Sequence, residues 1–336
     1  MNCIQTSPGN SDFEALYNGL KFSAYPETLK PLRAAQNDYL DSSRLITVLI
    51  AAYNNEPLAR IALYKSDADD APQTLILGNY ESENDDAAAF ILSEAENFAR
   101  QHGFKKLIGP MNGSSWATYR FRTDNSSDLF FSEHWHPHSY LLQWLNAGFT
   151  TAEKYISTID RKLTCDSPQL LLLESQLTQK GLTIRALTAD DFTGDKINKL
   201  YMFSTEAFSE NTLYAPITAD EFRMRYEKTA DYISPGSSVV IESADGMIHA
   251  LMFAFPDHFC KTEKRFVLKT LARNPKSIYR GLATLLGNNL TRYARQNGYT
   301  SVIHAYMHVN NKSVSLSEKF SGEPLREYVL LEKQIA

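Results

Sequence analysis

The stretch "FARQHGFKKLI", Phe98 to Ile108, and the stretch "YARQNGYTSVI", Tyr293 to Ile303, align without a gap at an offset of 195 residues. An apolar helical pattern precedes each one. In the first it runs through Ala88, Phe90, Ile91, Leu92 and Ala95, and in the second through Leu282, Leu285, Leu286, Leu290 and Tyr293. Gly103 and Gly298 stand where a helix ends on a left-handed residue, and a short apolar strand follows. The agreement of these flanking elements predicts an internal duplication.

Working outward, both copies predict strands joined by a turn ahead of that helix. In the second copy "SSVVIES" and "MIHALMFAF" flank Asp245-Gly246, a hairpin signal, and "RFVLKTLA" gives a third strand. In the first, "RLITVLIAAY" and "LARIALYKS" flank Asn54 to Pro57, and "QTLILGNY" follows. Downstream, "HSYLLQWLNAGF" and "KSVSLSEKFSGE" predict short helices, each leading into a last strand, "AEKYISTID" and "LREYVLLEK". Between the copies, Ser167-Pro168 opens a connecting helix that Gly181 ends. The strand "LTIRAL" then precedes two helices, the second opened by the capping box Thr218-x-x-Glu221. The second half therefore reads β-α-α-β-β-β-α-β-α-β. The expected division is 1–163, a connector over 164–181, and 182–336.

Composition narrows the function classes. Of the 336 residues 43% are hydrophobic and 22% charged, which is a globular balance. A net charge of -5 argues against a partner that presents a phosphate backbone, so no nucleic-acid partner is expected. The longest apolar run, Leu45 to Tyr53, is roughly half of a membrane span, and no membrane partner is expected. The opening residues, MNCIQTSPGNSDFEAL, have neither a basic nor an apolar signal region. Cys3, Cys165 and Cys260 are odd in number and widely spaced, which suits a reducing compartment. The expected location is the cytoplasm.

"NPKSIYRGLATLL", Asn274 to Leu286, joins the third strand of the second copy to its helix. Backbone N–H groups at a helix start, with small residues allowing close approach, suit a pyrophosphate. At this point the chain resembles the GNAT superfamily of acyl-CoA-dependent N-acyltransferases. The family stretch P-x-x-R-G-x-G-x-G/A lies on Pro275 to Ala283 without a gap: Pro275, Gly281 and Ala283 match, and Leu286 fills the buried leucine position. Ile278 replaces the usual arginine or glutamine, and Arg280 supplies positive charge. The downstream pattern N-x-x-A-x-x-L-Y falls on Asn310 to Ser317, with Ser317 in place of the tyrosine that protonates the departing thiolate.

The resemblance implies an α+β fold, two tandem GNAT-like domains, each a mostly antiparallel splayed sheet flanked by helices. It implies acetyl-CoA or another acyl-CoA as cosubstrate, held along Leu271, Ala272 and Arg273 and by Ile278, Tyr279, Arg280, Gly281, Leu282, Ala283 and Thr284, with Asn310 nearby. The acceptor would be a small-molecule or peptide amine meeting Phe208, Asn211 and Tyr214. His304, Tyr306 and His308 alternate on the following strand, which predicts one shared face and proton-transfer candidates. In the first copy the corresponding loop, "YESENDDAA", carries Glu81, Glu83, Asp85 and Asp86 and no arginine is expected to offset them, so that copy is expected to lack the cofactor site. His134, His136 and His138 also alternate, but Pro137 breaks a regular strand there; a polar loop leading into a helix is expected, and no metal. Two other functions stay open: an inactive tandem scaffold that binds a ligand or partner, and a Fem-like aminoacyltransferase.

Overall fold

The computed structural model describes residues 1–335 apart from 36–39, 72, 127, 234 and 235. The first half runs β1 (Asn2–Thr6), α1 (Phe13–Tyr17), α2 (Lys30–Ala35), β2 (Leu45–Tyr53), β3 (Glu56–Lys65), β4 (Thr74–Ser82), α3 (Asp85–Gln101), β5 (Lys106–Gly109), β6 (Phe121–Arg122), α4 (His138–Asn146) and β7 (Thr150–Asp160). The connector is α5 (Pro168–Gln179). The second half runs β8 (Leu182–Ala186), α6 (Lys196–Phe208), α7 (Ala219–Tyr226), β9 (Val239–Ser243), β10 (Ile248–Pro256), β11 (Arg265–Arg273), α8 (Leu282–Gln296), β12 (Ser301–His308), α9 (Lys312–Lys319) and β13 (Glu323–Gln334). The predicted order of both halves is present, and β1, α1 and α2 precede the part read from sequence.

Local chemistry accounts for these elements. In α8, Leu282, Leu285, Leu286, Leu290 and Ala294 are buried at helical spacing, which fixes one face on the sheet. Ser167 caps α5, its side chain accepting from Leu170 N–H, and Pro168 needs no partner in the first turn. The Thr218–Glu221 capping box forms at the start of α7. β10 is buried along almost its whole length because helices cover both faces: α8 packs with Ala250, Met252 and Ala254, and α6 and α7 with Leu251 and Phe253.

The halves share one 13-stranded sheet ordered β1-β2-β3-β4-β5-β13-β7-β12-β11-β10-β9-β8, with β6 pairing on β13. The final strands are exchanged. β13 lies between β5 and β7 of the first half, and β7 lies against β12 of the second. Neither half keeps its own last strand beside its own fifth. The exchange covers edges that would otherwise be open.

The duplicated stretch marks the same device twice. In each copy a parallel pair forms the centre, β4 with β5 over Thr74–Ile76 and Lys106–Ile108, and β11 with β12 over Arg265–Leu268 and Ser301–His304. Beyond those residues the two strands of each pair diverge. What fills the gap differs between the copies.

Candidate active site

In the first copy the gap is closed by its own chain. Met111 N–H donates to Leu77 O at 2.8 Å and Asn79 N–H to Asn112 Oδ1 at 2.8 Å, so the free edge of β4 is already paired. Contact is tight enough that a Cβ on Gly78 would lie 2.1 Å from Met111 O. Asn84 caps α3 by accepting from Ala87 N–H, and Asp85 and Asp86 occupy the first turn. The acidic residues are fasteners as well. Glu81, buried, accepts from Arg33 Nε at 2.6 Å and Tyr140 OH at 2.7 Å; Glu83 accepts from the N–H groups of Phe22 and Ser23; Asp85 accepts from Gln143. The expectation that no arginine offsets the cluster is corrected: Arg33 does, from a segment 48 residues earlier in the chain.

In the second copy the gap is open. A cavity of about 1380 Å³ is lined by Leu268 to Leu271 and Arg273 of β11, by α8, and by β12 and α9. Gly281 stands before α8 at φ 79°, and no side chain caps the helix. The first backbone bond into α8 is Leu285 N–H to Gly281 O, and no acidic residue occupies its first turn. The N–H groups of Leu282, Ala283 and Thr284 thus have no partner within the helix, the ordinary condition of an uncapped N-terminus. Such an end suits an anion. The two helices are opposite in kind: one sealed by a cap and two carboxylates, the other left bare.

Among the sequence-predicted residues, Leu271, Arg273, Ala283, Asn310, His304, Tyr306, His308, Phe208, Asn211 and Tyr214 all line this cavity. Ala272 and Leu282 are buried in core packing instead, and Tyr279 packs edge-on to His249. Ile278 is 84% exposed, Arg280 is exposed, and Thr284 is half-buried. Trp116 holds the loop that follows α6, donating from Nε1 to Ala215 O at 2.9 Å and packing on Phe208 and Tyr214.

The alternation expected for His304, Tyr306 and His308 fails. The β12 register shifts between His304 and Met307, and Tyr306 takes a positive φ of 59°. This bulge re-aims the side chains, as an extra residue in a strand does. His304 joins Ser317 of α9, Nδ1 to Oγ 2.7 Å, and Ser317 Oγ lies 2.6 Å from Thr158 Oγ1. Burial pushes His304 down to about 4, so it is neutral near pH 7. Tyr306 packs with Phe130 and donates to Ser132 O at 3.0 Å; burial and then Glu133 raise its hydroxyl above the usual range. His308 lies across from Tyr155, its Nε2 2.6 Å from Glu153 Oε2, while its Nδ1 accepts from Asn310 N–H.

His136 is buried between two backbone partners, Nε2 accepting from Arg122 N–H at 2.7 Å and Nδ1 donating to Pro137 O at 3.0 Å; burial lowers it to about 3. Among the described residues no group of three His, Cys, Asp or Glu side chains is placed to hold a metal ion, and no helix is long and apolar enough to cross a membrane. Sequence reasoning missed Glu153, Arg120 and Lys269, which also line the cavity. Glu153 and Arg120 come from the first half, and no local signal in the second half points to them.

With this geometry in place, the fold has known counterparts. A GCN5-related N-acetyltransferase from Sphaerobacter thermophilus is similar over 99% of this chain and 96% of its own, at 12% identity and a TM-score of 0.51. A tandem GNAT protein from the clavulanic acid biosynthesis pathway is similar over 100% and 99%, at 9% identity and a TM-score of 0.51. A GCN5-related N-acetyltransferase from Anabaena variabilis is similar over 100% of this chain and 73% of its own, at 6% identity and a TM-score of 0.54. No protein-family model matches the chain, and no curated protein matches it. The chain has a GNAT-like fold, α+β with a large, mostly antiparallel sheet flanked by helices.

Proposed function

We propose that the protein is an acyl-CoA-dependent N-acyltransferase, acetyl-CoA being the favoured donor, with its single cofactor site in the portion 182–336 and the portion 1–163 as a worn copy that walls the acceptor side. The observation that carries this reading is the contrast between the two gaps: one plugged and capped, the other open beside an uncapped helix. Acetyl-CoA, when bound, supplies the activated acyl group.

The chain's own residues supply the rest. The free edge of β11 at Leu271 to Arg273 would pair with the pantetheine arm as an added strand does. The N–H groups of Leu282, Ala283 and Thr284 would hold the pyrophosphate, with the exposed Arg280 adding charge. The acceptor ammonium, of pKa about 10, must lose a proton before it can attack. We assign that proton to Glu153: His308 fixes one of its oxygens, and among the described residues the other makes no hydrogen bond. Ser317 Oγ, held by His304 in the place where the resembled family has tyrosine, would hydrogen-bond the departing thiolate, which takes its proton from solvent. Tyr306 is the weaker choice because its hydroxyl is already donated to Ser132 O.

Titration calorimetry with acetyl-CoA tests the reading. One site per chain is expected. Two equivalent sites, or none, would refute it.

A further inference from the structure

The cavity wall across the sheet from α8 carries two cations that the acyl-transfer steps above do not use. Arg120, from the segment after β5, lies with its guanidinium carbon 3.9 Å from the ring centre of Tyr119, 4.5 Å from Tyr155 and 4.6 Å from Tyr306. Its Nε donates to Tyr119 O at 3.2 Å, but its Nη1 is buried and, among the described residues, has no hydrogen-bond partner. A buried donor of this kind is costly unless something accepts from it. Lys269 is the first residue of β11 beyond the parallel pair, at the vertex of the gap, and its side chain is open to the cavity. Surrounding protein, and then Arg120, lower its ammonium pKa, and no carboxylate contributes to that shift.

Three carboxylates line the cavity: Glu210 stands on the loop after α6, and the other two each hold a partner of their own. Glu133 binds Arg326 and accepts from Tyr328 OH at 2.6 Å, and Glu153 binds His308. The backbone is also held in unusual conformations here. Arg120, Ser132 and Tyr306 have φ values of 79°, 72° and 59°, and all three line the cavity. Positive φ at non-glycine residues is costly and gathers where side chains are aimed for a purpose. Two like charges turned toward one space, with aromatic walls, are complementary to an anion.

We propose that Arg120 and Lys269 form a carboxylate-binding subsite, so that the acceptor is an amine that also carries a carboxylate, of the amino-acid class. This rests on the acyl-transfer reading and names its substrate class. The position favours the acceptor over the cofactor's phosphates as the source of the anion. The bare helix end lies with α8 on the face that packs Leu282, Leu285 and Leu286. Tyr306, under the Arg120 guanidinium, packs with the opposite cluster of Phe130, Val267 and Ile303.

The test is saturation-transfer NMR on the CoA-loaded protein, with a mixture of N-acetyl-L-amino acids as product-like probes and, separately, with their carboxamides. At least one acid should bind about tenfold or more tightly than its amide, as loss of a charge-assisted hydrogen bond implies. Lys269→Met and Arg120→Gln should each remove that preference without changing CoA affinity; because Lys269 is open to the cavity, its variant guards against a folding failure of the other. Equal binding of acids and amides, or an intact preference in Lys269→Met, overturns the proposal. So does a loss of CoA affinity in Lys269→Met, which would make the anion a cofactor phosphate. If CoA does not bind the wild-type protein, the acyl-transfer reading falls, and discrimination between acid and amide in that sample would still establish the anion subsite.

Discussion

Replacing Ala283 by glutamate isolates the bare end of α8 from the stability of the fold. Ala283 is the second residue of α8 and lines the cavity, so a longer side chain has room. A carboxylate in a first turn interacts favourably with the helix dipole, by about 0.3–1 kcal/mol, so the variant should fold and melt near the parent temperature. Its effect on a bound pyrophosphate has the opposite sign. At ~5 Å, one pair of like charges costs about 0.8 kcal/mol in water and about 3 kcal/mol at an effective dielectric of 20. The carboxylate also competes for the free N–H groups. For the two charges of a pyrophosphate in a half-open site, about 2–4 kcal/mol is expected, a loss of roughly 30- to 1,000-fold in affinity. Calorimetry with CoA, paired with a thermal melt, reads both quantities. Unchanged CoA affinity in a folded variant would show that the stretch Asn274 to Leu286 is only a turn. Gly281→Glu is the poorer probe, because at φ 79° a Cβ there would also lie 2.8 Å from Leu173.

Glu153→Gln should lower kcat by about 10²–10⁴-fold while leaving the CoA dissociation constant unchanged; an unaffected rate would remove Glu153 from the proton path. Burial lowers His136 to about 3 and His304 to about 4, below the unfolded value near 6.5, so the stability they hold is complete above the unfolded value and lost as pH falls through the folded ones. From His304 the loss is about 3 kcal/mol by about pH 4, and urea midpoints that stay constant from about pH 7 to about 4.5 would contradict it. Residues 182–336 alone would leave β13 without both its neighbours and β12 without β7, so they should be insoluble or lack a cooperative unfolding transition. A soluble, cooperatively unfolding fragment would show that the exchanged strands are dispensable.

Much of the architecture was readable because its signals are local. Leucine spacing in α8, Ser167-Pro168 before α5, Asp245-Gly246 in the hairpin and Thr218-x-x-Glu221 before α7 each depend on residues within one or two turns of the chain. The repeat of Phe98 to Ile108 at Tyr293 to Ile303 then aligned those elements into two copies. The acidic start of α3 in the first copy was also legible, since four carboxylates stand in one short stretch.

What the sequence by itself determined, then, was the order of elements and which copy kept an uncapped, uncharged helix start. Only the tertiary structure decided the partners of that order. β13 reaches back between β5 and β7, Arg33 crosses to Glu81, and the chain after β5 plugs one gap while Arg120 beside it borders the other. Such contacts join residues tens to hundreds of positions apart, and nothing in the local pattern of either partner specifies the other. The bulge at Tyr306 belongs with them. Strict alternation would put His304, Tyr306 and His308 on one face, but packing of Tyr306 against Phe130 and the register with β7 turn one residue left-handed. The strand keeps its sequence and changes which side of the sheet its chemistry serves.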